Sequence, residues 1–503
     1  MSKAATKSRA ATKAPRRSQA RAGSQRMVVV SEGALSKLQM AVRARYDAAQ
    51  TTGENRRHWS MADALGPDAA MNASVRRTLR MRSRLECANN CYAAGALLSL
   101  ANDIVGTGPQ LQVRLPDRAA ARRIEAAFAR WAKAVRLAAK LHTIVKSRVR
   151  DGEAFAVKTN NTRLRSAVLL DFKLNEPEMV CSPPGIPDGP LFVDGIEYDE
   201  SWNAVKYHIL DSHPGEVFGA QPRHREFAAS QVLHTYREDR PGQSRGIPEL
   251  TPALSLFALM RQFTLATVRA ADQAADYAAV MQTTLPTVEA ADVYGDEAVE
   301  IERGSMAALP EGWELKQLDA KHPTTTYPQF KGEMLDEVGR SMQMPSNIIR
   351  GNSSGYNYAS GRLDHQSYRR NISVYRADLD RAILDELFFS WVEEAALLPG
   401  LIPAGMGDAF ELPHEWLWPG FFHVDPNKEA DAQAQRLQNC TTTLAEECAA
   451  AEHPRDWEEV LEQRGRELQR MKELGIPNLN EFGVPVEKPA ADKSASEEPA
   501  NAA

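Results

Sequence analysis

The sequence predicts an α+β protein. Residues 151–240 hold short β-rich pieces, "EAFAVKT", "AVLLDF", "AVKYHIL" and "QVLHTYRE", alternating with Gly/Pro/Asp turns such as "SPPGIPDGP". Helical patterns flank that region on both sides. The longest is Tyr368, Ile372, Tyr375, Leu379, Ile383, Leu387, Trp391 and Ala395, which recur every three or four residues.

In chain order, residues 1–26 contain eight Lys/Arg and no acid, and read as a disordered basic arm because nothing in them repays the entropy of ordering. Such an arm could bind nucleic acid or an acidic partner, serve as a solubilising tail, or act as a transit peptide. Helices are expected around 32–50 and over 84–103, the latter closing at "IVGTGP" where Gly106 and Gly108 supply the stop. "AARRIEAAFARWAKAV" is another amphipathic helix. From 247 the chain is helical for more than thirty residues. Ala266, Ala270, Ala274 and Ala278 form a small-residue ridge at i+4 spacing, suited to close helix–helix packing in an oligomer. An ordinary buried core helix would show the same ridge, but Arg269, Asp272, Gln273 and Asp276 share its turns.

Residues 285–326 return to short strands and turns, with alternation at Val299/Ile301 and Trp313/Leu315. Helix resumes near 328–342 and breaks at Met344-Pro345. A helix from about 358 to 397 would run roughly 60 Å, the length of a structural strut. Near the C-terminus Pro454 suits a first helical turn, Trp457, Val460, Leu461, Leu468, Met471 and Leu474 form a stripe, and Gly475 stops it. The last residues, 487–503, read as a second disordered tail.

Composition narrows the function. Lys+Arg 61 against Asp+Glu 66 gives a net charge of −5, which is not that of a globally basic nucleic-acid binder. Five cysteines (Cys87, Cys91, Cys181, Cys440, Cys448) without C-x-x-C suggest reduced thiols in a cytosolic setting rather than disulfides or zinc. The most apolar stretch, 252–281, is interrupted by Arg261, Arg269, Asp272 and Asp276, so no membrane span is expected. No apolar run follows the basic start, so a soluble, non-exported protein is expected.

One motif suggests catalysis. Gly351-Asn352-Ser353-Ser354-Gly355 matches the G-x-S-x-G nucleophile elbow, with Asp364 and His365 downstream. An elbow needs a strand before the serine, yet a helix and a proline precede it. Asp364 and His365 would point about 100° apart on a helix and could not relay to one serine. A Gly/Asn/Ser loop is the simpler reading. No "GK" dipeptide is present, which removes a P-loop, and the eleven histidines show no H-E-x-x-H or comparable metal spacing. Asp151 and Glu153 could be an acid/base pair, but turns of this kind commonly carry acids for local hydrogen bonding. No clustered acids suggest a two-metal nuclease.

Six stretches in order resemble the portal proteins of tailed bacteriophages, lambda-type family. They are "RSRLECANNCYAAGALLSLANDIVGTG" (82–108), "RDGEAF" (150–155), "GIEYDESWNAVKYHI" (195–209), "HTYREDRPGQSRGIPELTPAL" (234–254), "NYASGRLDHQSYRR" (357–370) and "HVDPNKEADA" (423–432). Ala359-Ser360 stands where two serines are usual, and the N-terminal arm has no match. The resemblance implies a portal-type fold: an α/β wing over 27–246, a first stem helix over 247–284, a β-rich clip over 285–326, and a second stem helix over 327–342. It further implies a tunnel loop over 343–358, a long helix bracing it over 359–398, and a mostly helical C-terminal wing or crown region over 399–486.

Function implied by the resemblance is a non-enzymatic ring, commonly a dodecamer, forming the channel at one capsid vertex through which double-stranded DNA is packaged and ejected. The implied partners are the terminase large subunit, the major capsid protein and head-completion or adaptor proteins. The protein would reside in the virion after assembly in the host bacterial cytoplasm, with no cofactor, metal or membrane. The loop residues implied to face DNA are Arg350, Asn352, Ser353, Ser354, Tyr356, Asn357 and Arg362. Arg350, Arg362, Arg369 and Arg370 against Asp364 form a local basic cluster that could equally serve helix surfaces or inter-subunit pairs. A capsid adaptor without a pore is the alternative reading.

Overall fold

The computed structural model describes residues 53, 56–216, 222–276, 280–283, 313–316, 327–355, 357–403, 412–421 and 425–476. The chain divides into two units, Met1–Leu65 and Gly66–Ala503. In the first, the described residues form a turn in which Ala62 N–H donates to Trp59 O at 3.1 Å and Ser60 Oγ to Arg57 O at 3.1 Å. The helix expected around 32–50, the basic arm and the C-terminal tail lie outside the described residues.

The second unit begins with a single helical turn at Pro67–Ala70, followed by α1 (Ala73–Asn89) and α2 (Cys91–Val105). One helix over 84–103 was expected, and the chain instead breaks at Asn90. Its carboxamide oxygen accepts from Tyr92 N–H at 3.0 Å and Ala93 N–H at 3.4 Å, which starts a new helix in a new direction. Helix α2 ends at Gly106, whose φ of +54° is left-handed.

Strand β1 (Gln110–Val113) precedes α3 (Arg118–Ala134) and α4 (Leu137–Asp151). Asp117 caps α3 through Ala119 N–H and Ala120 N–H. Helix α4 has no counterpart in the sequence reading; Arg136, at φ +58°, turns the chain between two helices without glycine or proline to mark the joint.

Two antiparallel sheets follow. The first, in order β3-β2-β8, comprises β2 (Glu153–Asn160), β3 (Leu170–Asn175) and β8 (Val232–Tyr236). Its register pairs Phe155 with Asn175 and Asn160 with Leu170 on one side, and Glu153 with Tyr236 on the other. The second, β4-β5-β6-β7, comprises β4 (Phe192–Val193), β5 (Ile196–Tyr198), β6 (Ala204–Leu210) and β7 (His224–Ala228). Side-chain alternation divides β2 between two cores. Ala154 and Ala156 join the main core, while Phe155 and Val157 join a smaller one with Val180, Ile196, Tyr207 and Ile209.

Helix α5 (Leu254–Asp276) leaves this body. Strands β9 (Val280–Thr283) and β10 (Trp313–Lys316) pair antiparallel, Trp313 opposite Thr283 and Lys316 opposite Val280. The rest of 285–326 lies outside the described residues. Helix α6 (Tyr327–Ser341) returns beside α5, and the one-and-a-half-turn α7 (Ser346–Arg350) follows the Pro345 break.

The strut expected from 358 to 397 is a continuous helix with one change of winding. Helix α8 (Tyr358–Leu379) passes through a π turn (Asp380–Leu384) into α9 (Asp385–Ala395). Strand β11 (His414–Leu417) pairs antiparallel with β1, setting Leu111 opposite Trp416 across some three hundred positions of sequence. The main core closes there: the Phe128 ring lies 5.0 Å from Trp131, 5.4 Å from Trp391, 5.8 Å from Phe388 and 5.5 Å from Trp416. Helices α10 (Pro426–Gln438), α11 (Leu444–Ala450) and α12 (Trp457–Glu473) complete the unit. Asp456 caps α12, so Pro454 lies before the helix instead of in its first turn; Gly475, at φ +69°, ends it as expected. Among the described residues no helix is long and apolar enough to cross a membrane, and all five cysteines are free.

Candidate functional site

The Gly/Asn/Ser loop is tied down at both ends. Gly351 ends α7 at φ +63°, and Asn352 N–H donates to Asn347 O at 3.1 Å. Asn352 Oδ1 accepts from Ser354 N–H at 2.8 Å, and Gly355 takes φ +87°. Asn357 then caps α8 by accepting from Ser360 N–H at 2.8 Å. A Cβ at Gly351 or Gly355 would meet open space, so the backbone angle and not crowding demands glycine there. Asn352, Ser353, Ser354 and Asn357 are exposed, as is Arg362 on α8; Tyr356 lies outside the described residues.

Arg350 is not a bare cation at the loop's edge. Its Nε donates to Asp336 Oδ1 at 2.7 Å, its terminal nitrogen pairs with Oδ2, and Ser346 Oγ also donates to Asp336. The guanidinium lies over Gly332, where any Cβ would press on it. Asn347 Nδ2 and His365 Nε2 lie 3.1 Å apart. These contacts join α6, α7 and α8 into one base beneath the loop.

The elbow pattern fails on geometry. Ser353 follows a helix, α7, where a nucleophile elbow has a strand. The His365 ring is engaged with Asn347, and burial together with the Arg369 charge lowers its pKa. Asp151 and Glu153 likewise form no acid/base pair, because each is sealed from solvent and committed to arginines.

Helix α5 is fastened at its start and open along its length. Leu254, Phe257 and Met260 are buried, Asn90 Nδ2 donates to Phe257 O at 3.3 Å, and Arg261 pairs with Glu86 at 2.8 Å. Against α6, Phe263 stacks on Tyr327 at 5.5 Å and meets Phe330 edge-on at 5.1 Å. Leu259, Leu265 and Val268 nevertheless remain 56%, 51% and 53% exposed, and Ala266 is exposed too. Ala270 is half-buried; Ala274 lies on the helix, and Ala278 lies outside the described residues.

Sequence reasoning missed the charge network that positions this helix. Arg76, Arg80 and Arg84 stand at i+4 spacing on α1 and turn inward, leaving Val75, Met81 and Leu85 in solvent. Arg76 pairs with Asp194, Arg80 with Glu153 and Arg84 with Asp151. Arg245, fully buried, donates to Glu153 at 2.8 Å and to Asp194 at 2.9 Å, and also to the carbonyl oxygens of Asp194, Val180 and Pro177. Burial opposes ionisation of Glu153, but Arg245 and Arg80 hold its carboxyl well below the usual range. Gly152 and Gly246 press together so closely that a Cβ on Gly246 would collide with the Gly152 carbonyl oxygen. Arg148 adds a second clamp, pairing with Glu249 at 3.0 Å. The signal was present in "RDGEAF" and "SRGIPE", but nothing local states that those acids and arginines meet.

Ligand atoms of Glu176, Glu178 and His213 converge, and both glutamates already pair with Arg84, Glu176 also lying 3.1 Å from His213 Nε2.

A family model described as phage portal protein, lambda family, matches residues 52–376. A curated relative, the probable portal protein of Halomonas phage phiHAP-1, is 25% identical over 438 residues, covering 80% of this chain and 82% of the relative. Similar solved structures include the neck of an empty gene transfer agent particle, at 13% identity, 74% of this chain, 92% of that chain and TM-score 0.46. The virion of the native gene transfer agent particle matches at 15% identity, 77% of this chain, 94% of that chain and TM-score 0.37.

Proposed function

This chain belongs to the lambda family of phage portal proteins, and from that premise we propose that it assembles into a ring whose central channel passes double-stranded DNA. The ring would sit at one vertex of the capsid, beside the major capsid protein, after assembly in the host cytoplasm. It would dock the terminase large subunit during packaging and head-completion or adaptor proteins afterwards. A dodecamer is the expected stoichiometry.

The observation that carries this reading is the apolar surface left exposed around α5 beyond its buried start. A helix that leaves Leu259, Leu265, Ala266 and Val268 to water in one chain is a helix awaiting equivalent neighbours. The ridge of Ala266, Ala270, Ala274 and Ala278 would let them approach closely. In the ring, α5 and α6 serve as the stem and the loop from 351 to 357 faces the channel; β10 belongs to the clip together with its partner β9, a strand where the stem helix was expected to run on to 284.

Loop chemistry suits conduction better than capture. Asn352, Ser353 and Ser354 offer neutral amide and hydroxyl groups, and the Arg350 charge is shared with Asp336. Strong cationic contacts would hold DNA through counterion release, whereas weak neutral ones let it slide. Electron microscopy and mass measurement of the purified protein test the proposal. Rings with a central hole are expected, and a stable monomer across salt and protein concentrations would refute them.

A further inference from the structure

The long helix changes its winding once, at the π turn Asp380–Leu384. On an uninterrupted α-helix five residues sweep about 500°, leaving Asp380 and Asp385 about 140° apart. The i→i+5 bonding of a π turn brings them onto one side of the helix, much as i and i+4 lie on an α-helix. Both carboxylates therefore face one segment, the strap formed by residues 412–421. Trp416 Nε1 donates to Asp385 Oδ1 at 2.8 Å, and Trp418 Nε1 donates to Asp380 Oδ1 at 2.9 Å. His414 Nε2 lies 3.2 Å from the same Asp385 oxygen. Residues 414, 416 and 418 recur at the two-residue spacing that places side chains on one face of an extended segment.

The contacts continue toward the loop end of the helix. The Arg376 guanidinium lies 5.3 Å from the ring centroids of both Trp418 and Phe421, and that of Arg369 lies 5.0 Å from Phe421. Strap positions rise from 414 to 421 while helix positions fall from 385 to 369, so the strap runs antiparallel along the helix. Gly420 fits against the backbone of Ala450 and Ala451, donating its N–H to Ala451 O at 3.0 Å.

We propose that the strap 412–421 and the π turn form a latch on the long helix, held under mildly acidic conditions and loosened as pH rises. Asp380 is half-buried beside one neutral donor, Trp418. The charged groups around it are Arg376 from α8, Asp385 from α9 and His414 from β11. Arg376 spends its own donors on the carbonyl oxygens of Asp103 and Ile104 of α2, and Asp103 accepts from Tyr368. Strand β8 also packs on the π turn, and its His234 is bound to Glu153.

Burial pushes the Asp380 carboxyl up to about 7, with the Asp385 charge adding to it against the Trp418 N–H and Arg376. Burial is the largest effect on His414 and lowers it, but its bonds to Asp385 and the Leu412 carbonyl, with the charges of Asp385 and Asp380, together raise it overall. A released strap returns the two groups to about 3.8 and 6.5. The closed latch binds the Asp380 proton more tightly, so its advantage is complete below pH 3.8 and declines up to about 7. The His414 contribution is present below 6.5 and is lost as pH rises through its raised value. Asp385 is depressed, and its contribution disappears only in acid below 3.8. Near neutrality, Asp380 and His414 act in the same direction.

The latch is a property of the single chain. Only its use, to stiffen or free the helix that carries the channel loop, rests on the portal reading. Hydrogen–deuterium exchange of the full-length protein tests it, with rates corrected for intrinsic pH dependence. Protection of 412–421 should fall roughly tenfold or more between about pH 5.5 and about pH 8.5, while β6, which lies in the separate smaller core, stays unchanged. Asp380→Asn should flatten that dependence, and Trp418→Phe should lower strap protection on the acid side. Deleting Arg381, which removes the extra residue of the π turn, should lower it at every pH. Equal wild-type strap protection at both pH values overturns the proposal without any variant, as does an Asp380→Asn protein that keeps the wild-type slope. A failure to form rings leaves these readouts intact, so the two proposals fail separately.

Discussion

Glu153 and Arg245 are both sealed from solvent, and each satisfies several partners of the other's neighbourhood. Removing one charge from such a pair strands the rest in a medium that solvates ions poorly. Glu153→Gln should therefore destabilise the folded chain by about 3–5 kcal/mol, measured by denaturant unfolding. The pH sign follows from the depressed carboxyl. Its stabilisation is present above the ordinary value of 4.5 and is lost as pH falls through the folded value, so the variant should show a flatter acid limb than wild type. Ser353 sits at the opposite extreme. Its exposed hydroxyl follows a helix, and Ser353→Ala should change stability by no more than ~0.5 kcal/mol and leave packaged-DNA yield near wild type. Placing valine at both Gly351 and Gly355 forces β-branched residues into left-handed backbone, at a cost of roughly 1–2 kcal/mol each. Rings should still form while DNA packaging or retention falls; a dead Ser353→Ala with normal rings would reverse that ranking.

Helix α5 combines a buried start with apolar side chains exposed around its later turns, and that division decides which substitution is informative. Ala270 is half-buried within the chain, so a larger residue there also presses on the fold. Ala266 is exposed, and Ala266→Leu adds bulk only where another copy would approach. Overpacking a close helix crossing costs about 1–3 kcal/mol per site, repeated at every subunit contact. Sedimentation should find the Ala266→Leu protein folded and unassembled, and normal rings would remove the ridge from the assembly interface. The inverted helix α1 follows the same logic from the other side. Three arginines at i+4 spacing would ordinarily face water, yet the acids of 151, 153 and 194 draw them inward.

Across the whole molecule, distant stretches of sequence share one aromatic core. Phe128 and Trp131 of α3 meet Phe388 and Trp391 of the long helix and Trp416 of β11. The core is thus completed only when residues beyond 400 return to pair with β1. Trp391→Ala should cost about 3–5 kcal/mol by denaturant unfolding, as large core truncations do. A chain ended near residue 400 should expose both the β1 edge and the Phe128 ring, and aggregate instead of remaining dispersed in a sedimentation assay.

Helix periodicity, the strand over 204–210, and the stops at Gly106 and Gly475 depend on neighbours within a turn or two, so the sequence alone determined them. So did the family, because its motifs are local strings in a fixed order. The unmarked joint at Arg136 and the π turn lay at the margin, being local geometries with no distinctive residue to announce them, while Asn90 is a favoured cap residue lost inside an otherwise continuous helical pattern. Tertiary structure alone decided the rest. It chose which face of α1 turned inward, joined Glu153 to Arg245, gave Arg350 to Asp336 and laid the strap along the helix. Each of those outcomes is a contact between segments far apart in the chain, and pairing energy across such distances leaves no periodic trace in either partner.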